Sequence, residues 1–203
     1  MHAGVVVAGG RSTRFDGADK AVAELAGTPM IRRVADRIAG PVDELVVNCR
    51  ADQRERIADA LADYPLPVTY ALDDRPDEGP LAGLACGLRA TDADRAFVVA
   101  CDVPFVDPAF VRYLFDRAAA HEAAVPKPDE YREALHAVYR PDAAADAAVR
   151  ALDSGERRAV ALLDGLDVVS VTAEEIDVHA TTGSFESLNT RTAFDAAVER
   201  FEP

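Results

Sequence analysis

Two residues suited to binding a metal-bound polyphosphate each follow an apolar run of strand length. Lys20 comes shortly after the glycine pair Gly9-Gly10, which closes the first apolar run of the chain. Asp102 directly follows the uncharged run 96–101. An ammonium holds phosphate oxygens by charge, and Mg²⁺ accepts one or two carboxylates beside water and phosphate oxygens. These residues predict a triphosphate-binding site in which Asp102 binds the metal, although a turn or helix-capping aspartate is the alternative.

The glycine pair is the second element of this prediction. Adjacent glycines let the backbone approach a ligand closely and expose N–H donors. Arg11, Arg14 and Lys20 add three cations within residues 11–20 of an otherwise acidic chain. The spacing matches neither the dinucleotide motif G-x-G-x-x-G nor the P-loop. A tight turn with ordinary surface arginines therefore stays open beside the phosphate-binding interpretation.

Further polar and small residues follow the neighbouring apolar runs. Asn48 lies near the end of the second run, where an amide could contact a base or ribose or simply form a turn. An acidic segment beginning at Asp73 follows the third run and could be a solvated loop. Gly83 and Gly87 lie one turn apart in a predicted helix, where glycine costs about 1 kcal/mol relative to alanine. Their spacing indicates either close packing or close approach of a ligand.

Apolar runs of strand length alternate with segments of helical period, which predicts right-handed βαβ crossovers. The expected fold is a three-layer α/β/α domain, spanning residues 1–203, with a mainly parallel sheet. Ligands of such sheets bind outside the carboxyl ends of the strands, where the glycine pair and the candidate aspartates fall. The predicted strands cover 3–8, 45–49, 68–72, 96–101, 123–126, 134–139 and 167–171, and the predicted helices cover 29–39, 51–64, 81–89 and 108–119. A closing helix is predicted to carry Phe194, Ala197, Val198 and Phe201.

Composition limits the classes of function. The chain has 203 residues, of which 49% are hydrophobic, and a net charge of −14 from 22 basic and 36 acidic residues. So acidic a surface argues against nucleic-acid binding. No run of 18 uncharged apolar residues predicts a membrane span. Adaptation to high salt explains the charge better than an acidic partner-binding surface does.

The cysteines and the first residues indicate a cytoplasmic protein. Cys49, Cys86 and Cys101 form no C-x-x-C pair, and an odd number in a chain of this size does not suggest a disulfide framework. The N-terminus lacks the basic start, the long apolar run and the cleavage site of a signal peptide.

Several blocks of sequence together resemble one family. VVAGGRSTRF with the later DKA, then GPLAGL, CDVPF, GERR and FESLNT, resemble the molybdenum cofactor guanylyltransferases, a branch of the Rossmann-like nucleotidyltransferases. The resemblance extends from residue 4 to residue 195. It implies a Mg²⁺-dependent transfer of GMP from GTP to molybdopterin, giving molybdopterin guanine dinucleotide and pyrophosphate. It also implies possible protein partners, which deliver molybdopterin or act as molybdoenzyme chaperones.

The resemblance also implies residue roles. Arg14 and Lys20 would hold the phosphates, with Asp102 binding Mg²⁺ and touching GTP. Asn48 would help to bind the nucleoside. Asp73 would be a further GTP contact, with Asp74 as the alternative because the loop is one residue shorter than in the family. Four residues would contact the nucleotide through backbone groups: Val7, Ala8, Gly9 and Gly10.

The chain departs from the family pattern at two positions. Phe15 stands where methionine is usual, and Ser187 stands where the late motif N-x-N-T has its first asparagine, which weakens any role for that position. The segment 134–139 keeps the outline of a substrate-side strand. Arg157 and Arg158, adjacent cations in an acidic chain, are candidates for binding the anionic groups of the pterin.

Two alternatives remain at this stage. A related nucleotidyltransferase, acting on a sugar phosphate, a corrinoid phosphate or another cofactor, would carry the same glycine turn and Asp102. A non-catalytic nucleotide-binding or cofactor-chaperone protein would bind without turnover, and the presence of both Lys20 and Asp102 argues against it.

Overall fold

The computed structural model describes residues 1–10, 19–73, 78–181 and 183–201. Within them, seven strands form one sheet, in the order β5-β4-β1-β6-β8-β7-β9. These strands are β1 (His2–Val7), β4 (Glu44–Cys49), β5 (Val68–Leu72), β6 (Arg95–Ala100), β7 (Ala123–Pro126), β8 (His136–Tyr139) and β9 (Val168–Val171). A separate antiparallel hairpin joins β2 (Glu24–Leu25) to β3 (Thr28–Pro29).

The sheet is mainly parallel, as the alternation of elements predicts. β1 pairs in parallel with β4 and β6, β4 with β5, and β7 with β9. Among the described strands of this sheet only β8 runs the other way, between β6 and β7. The carboxyl ends of the parallel strands therefore meet along one edge.

Helices cover both faces of the sheet. They are α1 (Met30–Ile38), α2 (Arg54–Ala60), α3 (Pro80–Arg89), α4 (Pro108–Arg117), α5 (Pro141–Asp153), α6 (Ala173–His179) and α7 (Arg191–Val198). Of these, α5 and α6 were not predicted from the sequence, and α2 is shorter than the predicted 51–64. Proline occupies the first turn of α3, α4 and α5. The N–H groups there have no acceptor within the helix, so the missing N–H of proline costs no hydrogen bond. Within the described segments, no helix combines the length and apolar character that a membrane span requires.

The strands bury side chains on both faces. Val6, Val47 and Val99 pack with α1, α2 and α4 on one side. Val5 and Val98, one residue along their strands, pack with α3 and α5 on the other. This period of two buries both faces of the sheet, as required by the three-layer α/β/α arrangement that the alternation of strands and helices predicts.

A smaller apolar cluster fixes the C-terminal part of the chain over the carboxyl edge. Leu188 and Phe194 pack there against Leu25, Met30 and Phe105. The Leu188 N–H also donates to the Asp102 carbonyl at 2.9 Å. The segment 183–190, which we call the C-terminal loop, is thereby held beside the end of β6.

Candidate functional site

Lys20 and Asp102 meet at the carboxyl edge. Lys20 begins a 3₁₀ turn, Lys20–Val22, that is capped by Asp19, whose carboxylate accepts a hydrogen bond from the Ala21 N–H at 3.2 Å. The Lys20 Nζ lies 2.5 Å from Asp102 Oδ2, and the two side chains are 12% and 10% exposed. The structure therefore brings together two residues that are 82 positions apart in the sequence.

Two residues of the C-terminal loop complete this arrangement. Ser187 Oγ donates to Asp102 Oδ2 at 2.8 Å, and Asn189 Oδ1 accepts from Lys20 Nζ at 2.8 Å. Asn189 Nδ2 in turn donates to Ser187 Oγ at 2.6 Å, which closes a ring of four side chains. Sequence reasoning discounted Ser187 and gave Asn189 no role, although both residues lie in the FESLNT block.

The Asp102 carboxylate fits the requirements of a Mg²⁺ ligand. The hydrogen bonds it accepts from the described residues all fall on Oδ2, which leaves Oδ1 to meet a cation. The described residues contain no group of three or more His, Cys, Asp or Glu side chains that could hold a metal. Because Mg²⁺ commonly takes most of its ligands from water and substrate phosphates, one carboxylate beside a polyphosphate suffices.

The glycine turn continues β1 beside this pair. The Ala8 N–H donates to the Asn48 carbonyl at 2.9 Å, and the Cys101 N–H donates to the Val7 carbonyl at 3.1 Å. These bonds fix the ends of β4 and β6 against Val7–Ala8 and so against Gly9 and Gly10. The predicted phosphate ligand Arg14 lies outside the described residues, as do Arg11, Phe15 and Asp74.

Asn48 and Asp73 lie on the side of Gly9 that faces β4 and β5. A Cβ placed on Gly9 would be 3.2 Å from both Asn48 Oδ1 and Asp73 Oδ2. Asn48 is fully buried, and its Nδ2 donates to the Ala71 carbonyl at 3.3 Å. Its Oδ1 has no hydrogen-bond donor among the described residues, an arrangement that costs about 1–3 kcal/mol.

The two glycines of α3 pack against β1 and β4. A Cβ on Gly83 would lie 2.5 Å from Asn48 Oδ1 and 3.1 Å from Val7 Cγ1, and one on Gly87 would lie 2.6 Å from Val5 Cγ1. Close packing therefore accounts for both glycines. Through Asn48, Gly83 also fixes a residue of the predicted nucleotide site.

We expect Gly83→Ala to destabilise the protein, because the added methyl must displace the Asn48 side chain at a cost of roughly 1–3 kcal/mol. Alanine regains about 1 kcal/mol in a helix interior, so the expected net loss of stability is up to about 2 kcal/mol. Gly10→Ala is the control, since a Cβ there meets no atom of the described residues within 4 Å. Chemical denaturation of both variants measures the difference, and a Gly83→Ala protein as stable as wild type would contradict the prediction.

Arg157 and Arg158 differ in their surroundings. The Arg157 carbonyl accepts from the Leu81 N–H at 3.3 Å, and its guanidinium donates to the Leu152 carbonyl at 3.2 Å. A Cβ on Gly79, which has a φ of 84°, would lie 2.9 Å from the Arg157 carbonyl oxygen. Arg157 thus joins the end of α5 to the start of α3, whereas the Arg158 side chain is 77% exposed.

The chain is a three-layer α/β/α domain with a mainly parallel sheet, and a glycine turn, a lysine and an aspartate lie at the carboxyl edge of that sheet. This combination defines a Rossmann-like nucleotidyltransferase. Residues 4–169 match the model of the MobA-like NTP transferase domain. The chain is 47% identical over 197 residues to a probable molybdenum cofactor guanylyltransferase of Natronomonas pharaonis, covering 97% of this chain and 96% of that protein. The chain belongs to the molybdenum cofactor guanylyltransferase family.

Two further comparisons agree with this placement. A probable molybdenum cofactor guanylyltransferase of Haloferax mediterranei is 40% identical over 189 residues, covering 93% of this chain and 89% of the relative. The crystal structure of molybdopterin-guanine dinucleotide biosynthesis protein A from Archaeoglobus fulgidus superposes with a TM-score of 0.78 at 28% identity. That alignment covers 99% of this chain and 98% of the other.

Proposed function

We propose that this chain is a Mg²⁺-dependent guanylyltransferase that transfers GMP from GTP to molybdopterin, forming molybdopterin guanine dinucleotide and pyrophosphate. The observation that carries the proposal is the contact of Lys20 with Asp102 at the carboxyl edge, beside the glycine turn. Membership of the family supports the choice of GTP and molybdopterin. In this proposal residues 1–203 work as one nucleotidyltransferase domain in the cytoplasm.

The reaction requires positioning and charge stabilisation. A phosphate oxygen of the pterin attacks the α-phosphorus of GTP, and the bond from that phosphorus to the oxygen bridging to the β-phosphate breaks. The attacking oxygen is already anionic, so no strong general base is required. Lys20 offsets the charge on the departing pyrophosphate, because an ammonium fixed in a partly buried site stabilises developing negative charge. Mg²⁺ held by Asp102 would supply a second positive charge to the phosphates.

The remaining residues divide between the two ends of the nucleotide. We assign the backbone of residues 7–10, together with Lys20 and Arg14, to the phosphates. Asn48 and Asp73, on the far side of Gly9, are assigned to the nucleoside end. The exposed Arg158 remains the candidate for the anionic groups of the pterin.

The direct test is to incubate the protein with molybdopterin, Mg²⁺ and one nucleoside triphosphate at a time. We expect mass spectrometry to detect the dinucleotide and stoichiometric pyrophosphate with GTP, far less product with ATP or CTP, and none after chelation of the metal. Turnover with another nucleotide or another phosphorylated acceptor would indicate a related nucleotidyltransferase. Binding of GTP without any product would indicate a non-catalytic protein.

A further inference from the structure

The carbonyl groups of the glycine turn are held by side chains that follow β4. Arg50 Nη1 donates to the Gly9 carbonyl at 3.0 Å and to the Gly10 carbonyl at 2.9 Å. Gln53 Nε2 donates to the Ala8 carbonyl at 3.2 Å. Three consecutive peptide carbonyls are therefore held by two side chains from the segment between β4 and α2. We call this pair, Arg50 and Gln53, the brace.

The brace is itself fixed in place. Arg50, with 17% of its side chain exposed, forms a two-pronged ion pair with Asp52 at 3.0 and 3.1 Å. This hydrogen bonding lowers the pKa of Asp52 below its usual value. Gln53 is fully buried, and its Oε1 accepts from the Arg50 N–H at 3.1 Å. Neither side chain can leave the turn without breaking several other bonds.

The same glutamine reaches the turn that carries Lys20. Gln53 Nε2 also donates to Asp19 Oδ1 at 3.0 Å, and that carboxylate caps the 3₁₀ turn through the Ala21 N–H. Arg56 Nη2 lies 3.2 Å from the other carboxylate oxygen of Asp19. One buried amide thus connects the glycine turn to the position of the Lys20 ammonium.

The direction of the carbonyls determines the direction of the N–H groups. In a trans peptide the C=O and the following N–H point to opposite sides. Because the brace draws the Ala8 and Gly9 carbonyls toward itself, the Gly9 and Gly10 N–H groups point away from it. Neither of these N–H groups donates a hydrogen bond within the described part of the chain. Successive free N–H groups of this kind form a site for an anion.

We propose that Arg50 and Gln53 are positioning residues for the triphosphate of the nucleotide, an inference that rests on the proposed function. They hold the carbonyl oxygens of the glycine turn away from the phosphates, so that the Gly9 and Gly10 N–H groups face the phosphates. Through Asp19, Gln53 also positions the Lys20 ammonium toward the same phosphates. Neither residue touches the nucleotide, so their effect on it is transmitted by the turn.

The test compares GTP with guanosine, which lacks phosphates, in variants of nearly unchanged shape. Arg50→Lys retains the charge but cannot bond both carbonyls and Asp52 together. Gln53→Glu keeps the outline but loses both donated bonds and faces Asp19 with like charge. For each variant we expect a rise of about 10- to 50-fold in the Kd for GTP, as expected from losing one or two hydrogen bonds, with the Kd for guanosine changed by less than about 3-fold.

Arg54→Lys is the matched control, because Arg54 is exposed on the same segment and lies over the Tyr70 ring. Folded variants that bind GTP like wild type would overturn the inference, and so would an equal loss of affinity for GTP and guanosine, which would indicate a merely structural role. If the wild-type protein binds GTP but forms no dinucleotide, the proposed function fails while the binding comparison still decides the role of the brace.

Discussion

Lys20→Ala is expected to lower the turnover of GTP by about 30- to 1,000-fold, equivalent to about 2–4 kcal/mol of transition-state stabilisation. The ammonium is held against Asp102 and Asn189 before any ligand arrives, so its charge costs little reorganisation during the reaction. Alanine removes that positive charge, so the negative charges of the phosphates and of Asp102 are less well compensated. Steady-state release of pyrophosphate measures the loss.

The second lysine of the chain provides the control. Lys127 is exposed after β7, and Lys127→Ala should change turnover little. The Lys20→Ala protein should still fold, because Asp102 keeps its hydrogen bond from Ser187 and its partial contact with solvent. A folded Lys20→Ala protein with near wild-type turnover would show that the site has been placed wrongly.

Substitution of Asp102, which pairs with Lys20, should change the dependence of turnover on Mg²⁺. Asp102→Asn keeps the shape of the side chain but weakens its hold on a cation, so the defect in turnover should be partly rescued at high Mg²⁺ concentration. Lys20→Ala should show no such rescue. Turnover measured across a series of Mg²⁺ concentrations separates the two variants. Identical Mg²⁺ dependence in Asp102→Asn and wild type would remove Asp102 from the metal site.

The protein should lose stability steeply as the pH falls below about 6.5, the ordinary pKa of histidine. The reason is His136, which is 2% exposed on β8 and packs against the rings of Phe97, Phe110 and Phe185. Neither ring nitrogen has a hydrogen-bond partner among the described residues. Burial lowers the pKa of this imidazole to about 3.

The loss of stability at lower pH follows from the difference in proton binding between the folded and the unfolded state. Between the folded and the unfolded pKa the unfolded state binds the proton and the folded state does not. The stability present above the unfolded pKa is therefore lost as the pH falls toward 3, at about 1.4 kcal/mol per pH unit from this one group. Because Phe185 belongs to the C-terminal loop, acidification should loosen the segment that carries Ser187 and Asn189. Denaturant unfolding between pH 7.5 and 5 measures the slope.

Removing the imidazole tests its contribution. His136→Leu should flatten the dependence on pH in this range, whereas His121→Gln should not, since His121 is partly exposed and lies 3.0 Å from Asp167. Equal slopes in wild type and His136→Leu would exclude His136 as the source. The carboxylates are the same in wild type and in His136→Leu, so the difference between the two slopes isolates the histidine.

The class of the fold, and the alternation of strands and helices in the first half of the chain, could be predicted from the sequence. Uninterrupted apolar runs such as 96–101 are typical of strands buried on both faces, and helical segments between them require parallel crossovers. This reasoning placed Lys20 and Asp102 at one edge of the sheet before any distance was known. The alanine-rich α5 was missed, because alanine gives little contrast between the buried and exposed faces of a helix.

Only the tertiary structure decided which polar groups meet. Ser187 and Asn189 reach Asp102 because an apolar cluster around Leu188 docks the C-terminal loop, and no local spacing contains that information. Arg50 and Gln53 belong to no motif of the sequence, yet they hold the glycine turn. Local sequence sets periodicity and turn chemistry, whereas contacts between distant segments depend on how whole layers pack.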